Sequence, residues 1–205
     1  QRAARPASCL ATRDDEAREM GYIFDPARLH EIGSQAMGQP FEQMCSTLID
    51  GLDAAYPGHI ETQKKWLFNL AGGLTGIMTV LHASLSEYVL LYGTPTGTEG
   101  FSGRYRIDIW DVIVRGGFQT YNDVDPSTVH RAQVGDLVHL QPGVTKAVRI
   151  DLDTWMLEYG RGPIFTALPV ALGDALFSAM DPAILAKTLF QYGRLTLREL
   201  LKGKI

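Results

Sequence analysis

Three carboxylates stand where they could do chemistry. In the run RIDIWDVIV, Arg106 to Val114, the side chains of a strand alternate between faces, so Tyr105, Ile107, Ile109 and Ile113 share one apolar face. Asp111 falls on that same face, where the pattern asks for Val or Ile. Asp108, three residues earlier, faces the other way. Glu158, in the β-like run TWMLEYGRG, shares the face of Met156. An isolated ionised carboxylate is expensive to bury, so it either pairs or keeps its proton. Two carboxyls facing one cavity can share a proton, raising one apparent pKa while the partner stays ionised. Such a pair can give a proton near neutral pH while the second group accepts one or stabilises a cation. A structural role is the alternative: an inward Asp accepts hydrogen bonds from Tyr or backbone amides and fixes a turn. Spacing leaves both readings open.

Other chemistries find no support. There is no Gly-x-Ser-x-Gly, no Walker loop, and no Gly-x-Gly-x-x-Gly between strand and helix. His82 and His139 are single among the strand-like runs, without the His-x-His pair by which many barrels hold a metal, so neither a metal nor another cofactor is expected. Cys9 and Cys45 are not expected to form a disulfide. A net charge of −4 argues against a nucleic-acid partner.

The elements that must position these acids can be read in order. With 205 residues, 45% hydrophobic and 20% charged, the chain can bury a full core. Residues 1–20 read as a flexible polar leader. Its first 13 residues hold three Arg and no acid, which also fits the remnant of a targeting segment. A helix starts at Asp25-Pro26, a second carries Phe41, Met44, Cys45, Leu48 and Leu52 at helical spacing until Pro57-Gly58, and a third is expected from Glu61 to about Leu70. Trp66 to Ser86 is uncharged for 21 residues, long enough to span a membrane, but Asn69, Gly72, Gly73, Gly76 and His82 interrupt it. It reads as a buried helix running into a buried strand.

From about residue 79 to 166, short β-rich runs alternate with the turn clusters GTPTGTEGFSG, RGG, NDVDPST, QPG and YGRG, the texture of a small barrel or jelly roll. Two helical stretches follow, Phe165–Met180 and Asp181–Lys204, giving an α+β fold in a single domain over residues 21–205. The last helix carries Lys187, Arg194, Arg198, Lys202 and Lys204 against Asp181 and Glu199, with Ile184, Leu185, Leu189, Tyr192, Leu197 and Leu200 between them. It fits either a membrane-surface helix or a docked helix with a solvated basic face.

The segments FNLAGG, LHASLSEYVLLYG, FSGRY, DTWMLEYGRG and ALGDALFS are more specific. Through them, from about Tyr22 to the C-terminus, the chain closely resembles the family of fungal C-8 sterol isomerases and the animal sigma non-opioid receptor of type one. The resemblance implies a cupin-like, jelly-roll-like β-barrel with helices on its N-terminal side. It implies two C-terminal helices that pack over the barrel mouth and face the endoplasmic reticulum membrane, in a homotrimer. It also implies a long apolar cavity for a sterol or amphiphilic amine, with Asp111 and Glu158 as the acids that hold the amine and Tyr88 bracing the glutamate. Tyr105, Trp155 and Tyr192 match positions in or near that pocket, and Glu87 and His139 are further candidate ligand contacts. Resemblance to the isomerases marks Asp108 as an alternative proton donor.

Three functions are compatible with this resemblance: Δ8–Δ7 sterol isomerisation, receptor-like ligand binding with a chaperone role and no turnover, or a silent structural subunit of a larger membrane complex. The membrane span that the family implies at the N-terminus is not within these 205 residues, and the Arg-bearing leader also admits a mitochondrial membrane.

Overall fold

The computed structural model describes residues 21–204, so the expected leader and Cys9 lie outside the described residues. Asp25 opens α1 (Pro26–Ala36): its carboxylate accepts from the amides of Ala27 and Arg28, and Pro26 fills a first-turn position that needs no N–H. In α2 (Phe41–Ala55), helical spacing gathers Met44, Cys45, Leu48, Ile49 and Leu52 on one buried face.

The third helix expected over Glu61 to Leu70 does not form. The chain instead enters β1 (Leu67–Ala71), reverses at Gly72-Gly73 and returns as β2 (Leu74–Ala83), so the reading of Trp66–Ser86 as helix into strand is also corrected. Ala71 pairs with Leu74, and the two glycines between them have φ of +63° and +80°. A two-residue hairpin with positive φ at both positions needs glycine, and this turn overrides the helix-like spacing of Trp66, Leu67 and Leu70. The barrel therefore begins at residue 67 rather than near 79.

Eight more strands follow: β3 (Glu87–Thr94), β4 (Thr98–Phe101), β5 (Asp108–Arg115), β6 (Gly117–Tyr121), β7 (His130–Gln133), β8 (Leu137–Leu140), β9 (Ala147–Ile150) and β10 (Thr154–Arg161). They form two antiparallel sheets, ordered β1-β2-β3-β10-β5-β8 and β4-β9-β6-β7, facing one another as a jelly-roll-like barrel. Phe118 and Ile150 of the smaller sheet meet Met78, Leu90, Ile113 and Met156 of the larger one inside it. The larger sheet is buried on its other face too, where Val89, Leu91, Trp110, Val112, Leu157 and Tyr159 pack on Leu29, Ile32 and Leu48 of the N-terminal helices.

A short 3-10 turn, Ile164–Thr166, leads to α3 (Leu168–Phe177) and α4 (Pro182–Leu201), the second capped by Asp181 on the amides of Ala183 and Ile184. α4 inverts the usual amphipathic order. Its buried seam is Thr188, Gln191, Leu195 and Glu199, while Phe190 is 71% and Leu201 82% exposed. The expectation of a solvated basic face holds for the exposed Lys187 and is corrected for the other basic residues. Arg194 pairs with Glu61, Arg198 and Lys202 pair with Glu199, and Lys204 reaches the fully buried Glu87. Glu61, Glu87 and Glu199 are buried carboxylates that need cations, and α4 and the lysines just after it supply them. The fold is α+β, a cupin-like barrel with two helices along one sheet and two across one end.

Candidate functional site

β5 and β10 are neighbouring antiparallel strands, and their register sets Asp111 directly opposite Glu158. The Cβ atoms of such a pair lie about 5 Å apart. Both side chains line a cavity of about 180 Å³ inside the barrel. The Tyr88 hydroxyl donates to Glu158 Oε1 at 2.7 Å, whereas the buried Asp111 Oδ1 has no hydrogen-bond partner among the described residues. That difference makes the acids unequal. Burial raises the Asp111 pKa well above the ordinary carboxyl range, the neighbouring Glu158 raises it further, and Lys146 draws it partway back. Burial raises Glu158 as well, but the Tyr88 hydrogen bond stabilises its ionised form and opposes the rise. The two acids therefore titrate as a pair, and the Tyr88 hydrogen bond favours the ionised form on Glu158.

The walls come from both sheets and both C-terminal helices. Met78, Leu90, Ile109 and Met156 supply apolar surface from the larger sheet, Phe118, Val148 and Ile150 from the smaller, and Leu168, Leu172, Leu189 and Tyr192 close the helical end. Tyr88, Tyr92, Tyr105 and Tyr192 all face this space, and burial raises each phenol pKa, so they are neutral donors at ordinary pH. Tyr192 meets Tyr88 edge-on, with ring centroids 6.4 Å apart. Gly160 is paired with Tyr88 in the β10–β3 register, and a Cβ there would come within 2.3 Å of the Tyr88 ring. Glycine at 160 leaves the space from which Tyr88 reaches Glu158.

Four of the residues expected at this site lie elsewhere. Trp155 belongs to the outward face of β10 with Leu157 and Tyr159, where it packs against Phe41 and Trp66. Odd and even positions of β10 face opposite ways, so Trp155 cannot share the cavity with Glu158. The same parity takes Asp108 off the Asp111 face. Asp108 Oδ1 lies 2.6 Å from His139 Nε2, and the His139 ring stacks on Trp110 at 4.5 Å, outside the cavity. Glu87 is buried beyond the barrel wall. It accepts from the amides of Ile23 and Phe24, from the Tyr159 hydroxyl and from Lys204, fastening the first described residues to the C-terminal tail. It is an internal tie, not a ligand contact.

Among the lining residues that went unread in the sequence are Tyr92 and Lys146. Tyr92 is four positions after Tyr88 on β3, so the two-residue period marks it, and its buried hydroxyl has no partner among the described residues. Lys146 brings a cation to the lining beside Asp111. It precedes β9, and only the packing of the smaller sheet on the larger brings it there.

A family model described as "ERG2 and Sigma1 receptor like protein" matches residues 7–204. The chain is 40% identical over 176 residues to sigma non-opioid intracellular receptor 1 of Gallus gallus, covering 83% of this chain and 78% of that one. It is 35% identical over 179 residues to the protein erg2 homolog of Dictyostelium discoideum, covering 86% and 76%. Among solved structures, an RmlC-like cupin from Shewanella frigidimarina NCIMB 400 is 17% identical with a TM-score of 0.40, covering 49% of this chain and 85% of that one.

Proposed function

Because the chain belongs to the ERG2 and sigma-1 receptor-like family, we propose that its cavity takes a sterol and moves a ring double bond from Δ8 to Δ7 by proton transfer between Asp111 and Glu158. The observation that carries this reading is the inequality of the two carboxyls, one without a hydrogen-bond partner among the described residues and one held by Tyr88. Asp111, protonated, adds its proton to the Δ8 double bond, and the π electrons form the new C–H bond. A carbocation develops at ring carbon eight. Glu158, ionised, faces that cation and removes a proton from carbon seven, whose C–H electrons become the Δ7 double bond. Between turnovers Glu158 gives the proton it has gained to solvent and Asp111 takes one from solvent, so the site is reset. A fixed negative charge in an apolar cavity stabilises the cation far more than it would in water, and the walls keep water from trapping it.

Receptor-like binding without turnover is the second reading, favoured by the identity to sigma non-opioid receptors. An ammonium ion resembles the carbocation in charge, so the same acids would hold an amphiphilic amine. Attachment to the endoplasmic reticulum membrane, or to a mitochondrial one, and assembly as a homotrimer or within a membrane complex belong to the same proposal.

The test is incubation of the detergent-solubilised protein with a Δ8 sterol in heavy water, followed by mass spectrometry. The expected product is a Δ7 sterol carrying one deuterium. Glu158→Gln and Asp111→Asn are each expected to slow its formation by about 10²–10⁴-fold, the usual contribution of a positioned acid or base. Absence of conversion with amine binding intact would replace the isomerase by the receptor-like reading.

A further inference from the structure

His82 is solitary in the sequence but not in the fold. A bulge in β2 leaves Leu81 without a partner on β3 and sets His82 opposite Val89, on the face away from the barrel interior. There it meets two residues from distant parts of the chain. His59 follows the Pro57-Gly58 turn after α2, where Gly58 has φ of +80°, and Glu199 comes from the last turns of α4. One potential ligand atom from each of the three lies within 4.8 Å of the other two.

The protonation pattern is that of a metal-ligating histidine. His82 Nδ1 lies 2.9 Å from the backbone carbonyl of His59. A carbonyl can only accept, so Nδ1 carries the hydrogen, and in the neutral ring Nε2 presents a bare lone pair. His82 is fully buried, and Nε2 has no hydrogen-bond partner among the described residues. A ring nitrogen oriented by a backbone carbonyl on its other side is the usual arrangement around zinc. Glu199 is fully buried, with Lys202 and Arg198 on Oε1 and His59 Nδ1 on Oε2 at 2.6 Å. The cations thus hold one oxygen and leave the other on His59. His59 keeps 30% of its side chain exposed, which provides a path from solvent and room for a water as fourth ligand.

We propose that His59, His82 and Glu199 bind a divalent transition-metal ion of the zinc type. Two imidazoles, one carboxylate and an open position form a known zinc ligand set. Tetrahedral zinc holds such donors about 3.3 Å apart, so binding draws the three together and replaces the His59–Glu199 hydrogen bond. The ion would join the loop after α2, the bulge of β2 and α4. Since Thr188, Leu189 and Tyr192 of α4 line the cavity, the metal fastens the helix that closes it. The two positive side chains near Glu199 oppose the ion, which sets an affinity below that of a site with more carboxylates.

The experiment uses the full chain, stripped with a chelator and titrated with Zn²⁺ by calorimetry and with Co²⁺ by visible absorption. One ion per chain is expected, with the intense d–d bands of a tetrahedral cobalt site and a rise in melting temperature on zinc addition. His59→Ala also loses the hydrogen bond to the buried Glu199, so stripped of metal it is expected to melt below the stripped parent. It should bind zinc about 100-fold or more weakly, since even changes around ligands reach that size. His82→Gln, a change at a fully buried ring, should weaken zinc binding to a similar extent and also lower the melting temperature of the stripped protein. If zinc does not bind, or binds equally to the parent and to His59→Ala, the proposal is overturned. Both readouts are independent of sterol turnover, so failure of the isomerase reading leaves this result intact.

Discussion

At the scale of single residues, the contrast between Asp108 and Asp111 is a matter of parity. Three positions apart on β5, one meets His139 outside the barrel and the other faces Glu158 within it. Burial raises the Asp111 pKa, so its protonated form is the one the fold favours. The sign then follows. An acid whose folded pKa is raised contributes stability below its unfolded pKa, and loses that contribution as pH rises toward the folded value. Asp111→Asn keeps the shape and removes the charge, so it is expected to melt above the parent at pH 8 by about 2–4 °C or more, the shift that 1 kcal/mol produces in a chain of this size. At pH 4 the advantage should vanish. Melting curves at the two pH values check this, and a variant that melts below the parent at both would mean that Asp111 is ionised and paired. This much was legible in the sequence, because period two alone turns Asp111 and Glu158 inward. The same rule excludes Trp155 and includes Tyr92, and there the resemblance drew attention to the wrong aromatic. Histidines 59 and 82 could not be joined by any such rule, since a turn, a bulge and a helix 140 positions after His59 bring the site together.

At the scale of elements, the N-caps Asp25 and Asp181 and the buried face of α2 follow from residue type and spacing, whereas β1 does not. Its sequence LFNLA fits a helix as well as a strand over so short a length, and the deciding signal is the Gly-Gly pair after it. Both glycines adopt positive φ, and a Cβ at Gly72 would come within 2.2 Å of the Phe101 carbonyl oxygen. Gly72→Val therefore meets both backbone strain and a backbone clash. The expected loss is about 2–4 kcal/mol, with a lower urea midpoint and an unchanged m-value. Gly203→Ala, equally at positive φ but with open space around it, should lose no more than about 1 kcal/mol. Equal effects at the two positions would show that the close approach to Phe101 contributes nothing. The hairpin matters to the site because β2 carries both the cavity-lining Met78 and the bulge that re-aims His82.

For the whole molecule, the arrangement of charge and apolar surface at the helical end decides how it would meet a lipid bilayer. Among the described residues no helix is long and apolar enough to cross a membrane. Yet Phe165, Phe177, Met180, Phe190 and Leu201 are each at least 65% exposed, on or beside the two helices that close the cavity. Scattered exposed leucines are ordinary, but several large apolar side chains left exposed on two consecutive helices fit an interaction surface. Arg194, Arg198, Lys202 and Lys204, which sequence would assign to lipid phosphates, are committed to Glu61, Glu87 and Glu199 instead, and Lys187 is the exposed basic residue of α4. Association with a bilayer should therefore rest on apolar burial rather than on charge, and a net charge of −4 gives no help on anionic lipid. Flotation with neutral phosphatidylcholine vesicles is expected to carry the protein, and to do so equally at low and high salt. Phe177→Ser combined with Phe190→Ser should weaken partitioning by at least about tenfold, which requires only a fraction of the roughly 1.5–3 kcal/mol that each buried phenylalanine can contribute. Binding that needs anionic lipid and disappears in salt would instead mean that the cations of α4 leave their buried partners at the surface. A sterol or an amphiphilic amine dissolves in the bilayer first, so a cavity lined by membrane-seated helices would receive its ligand from lipid.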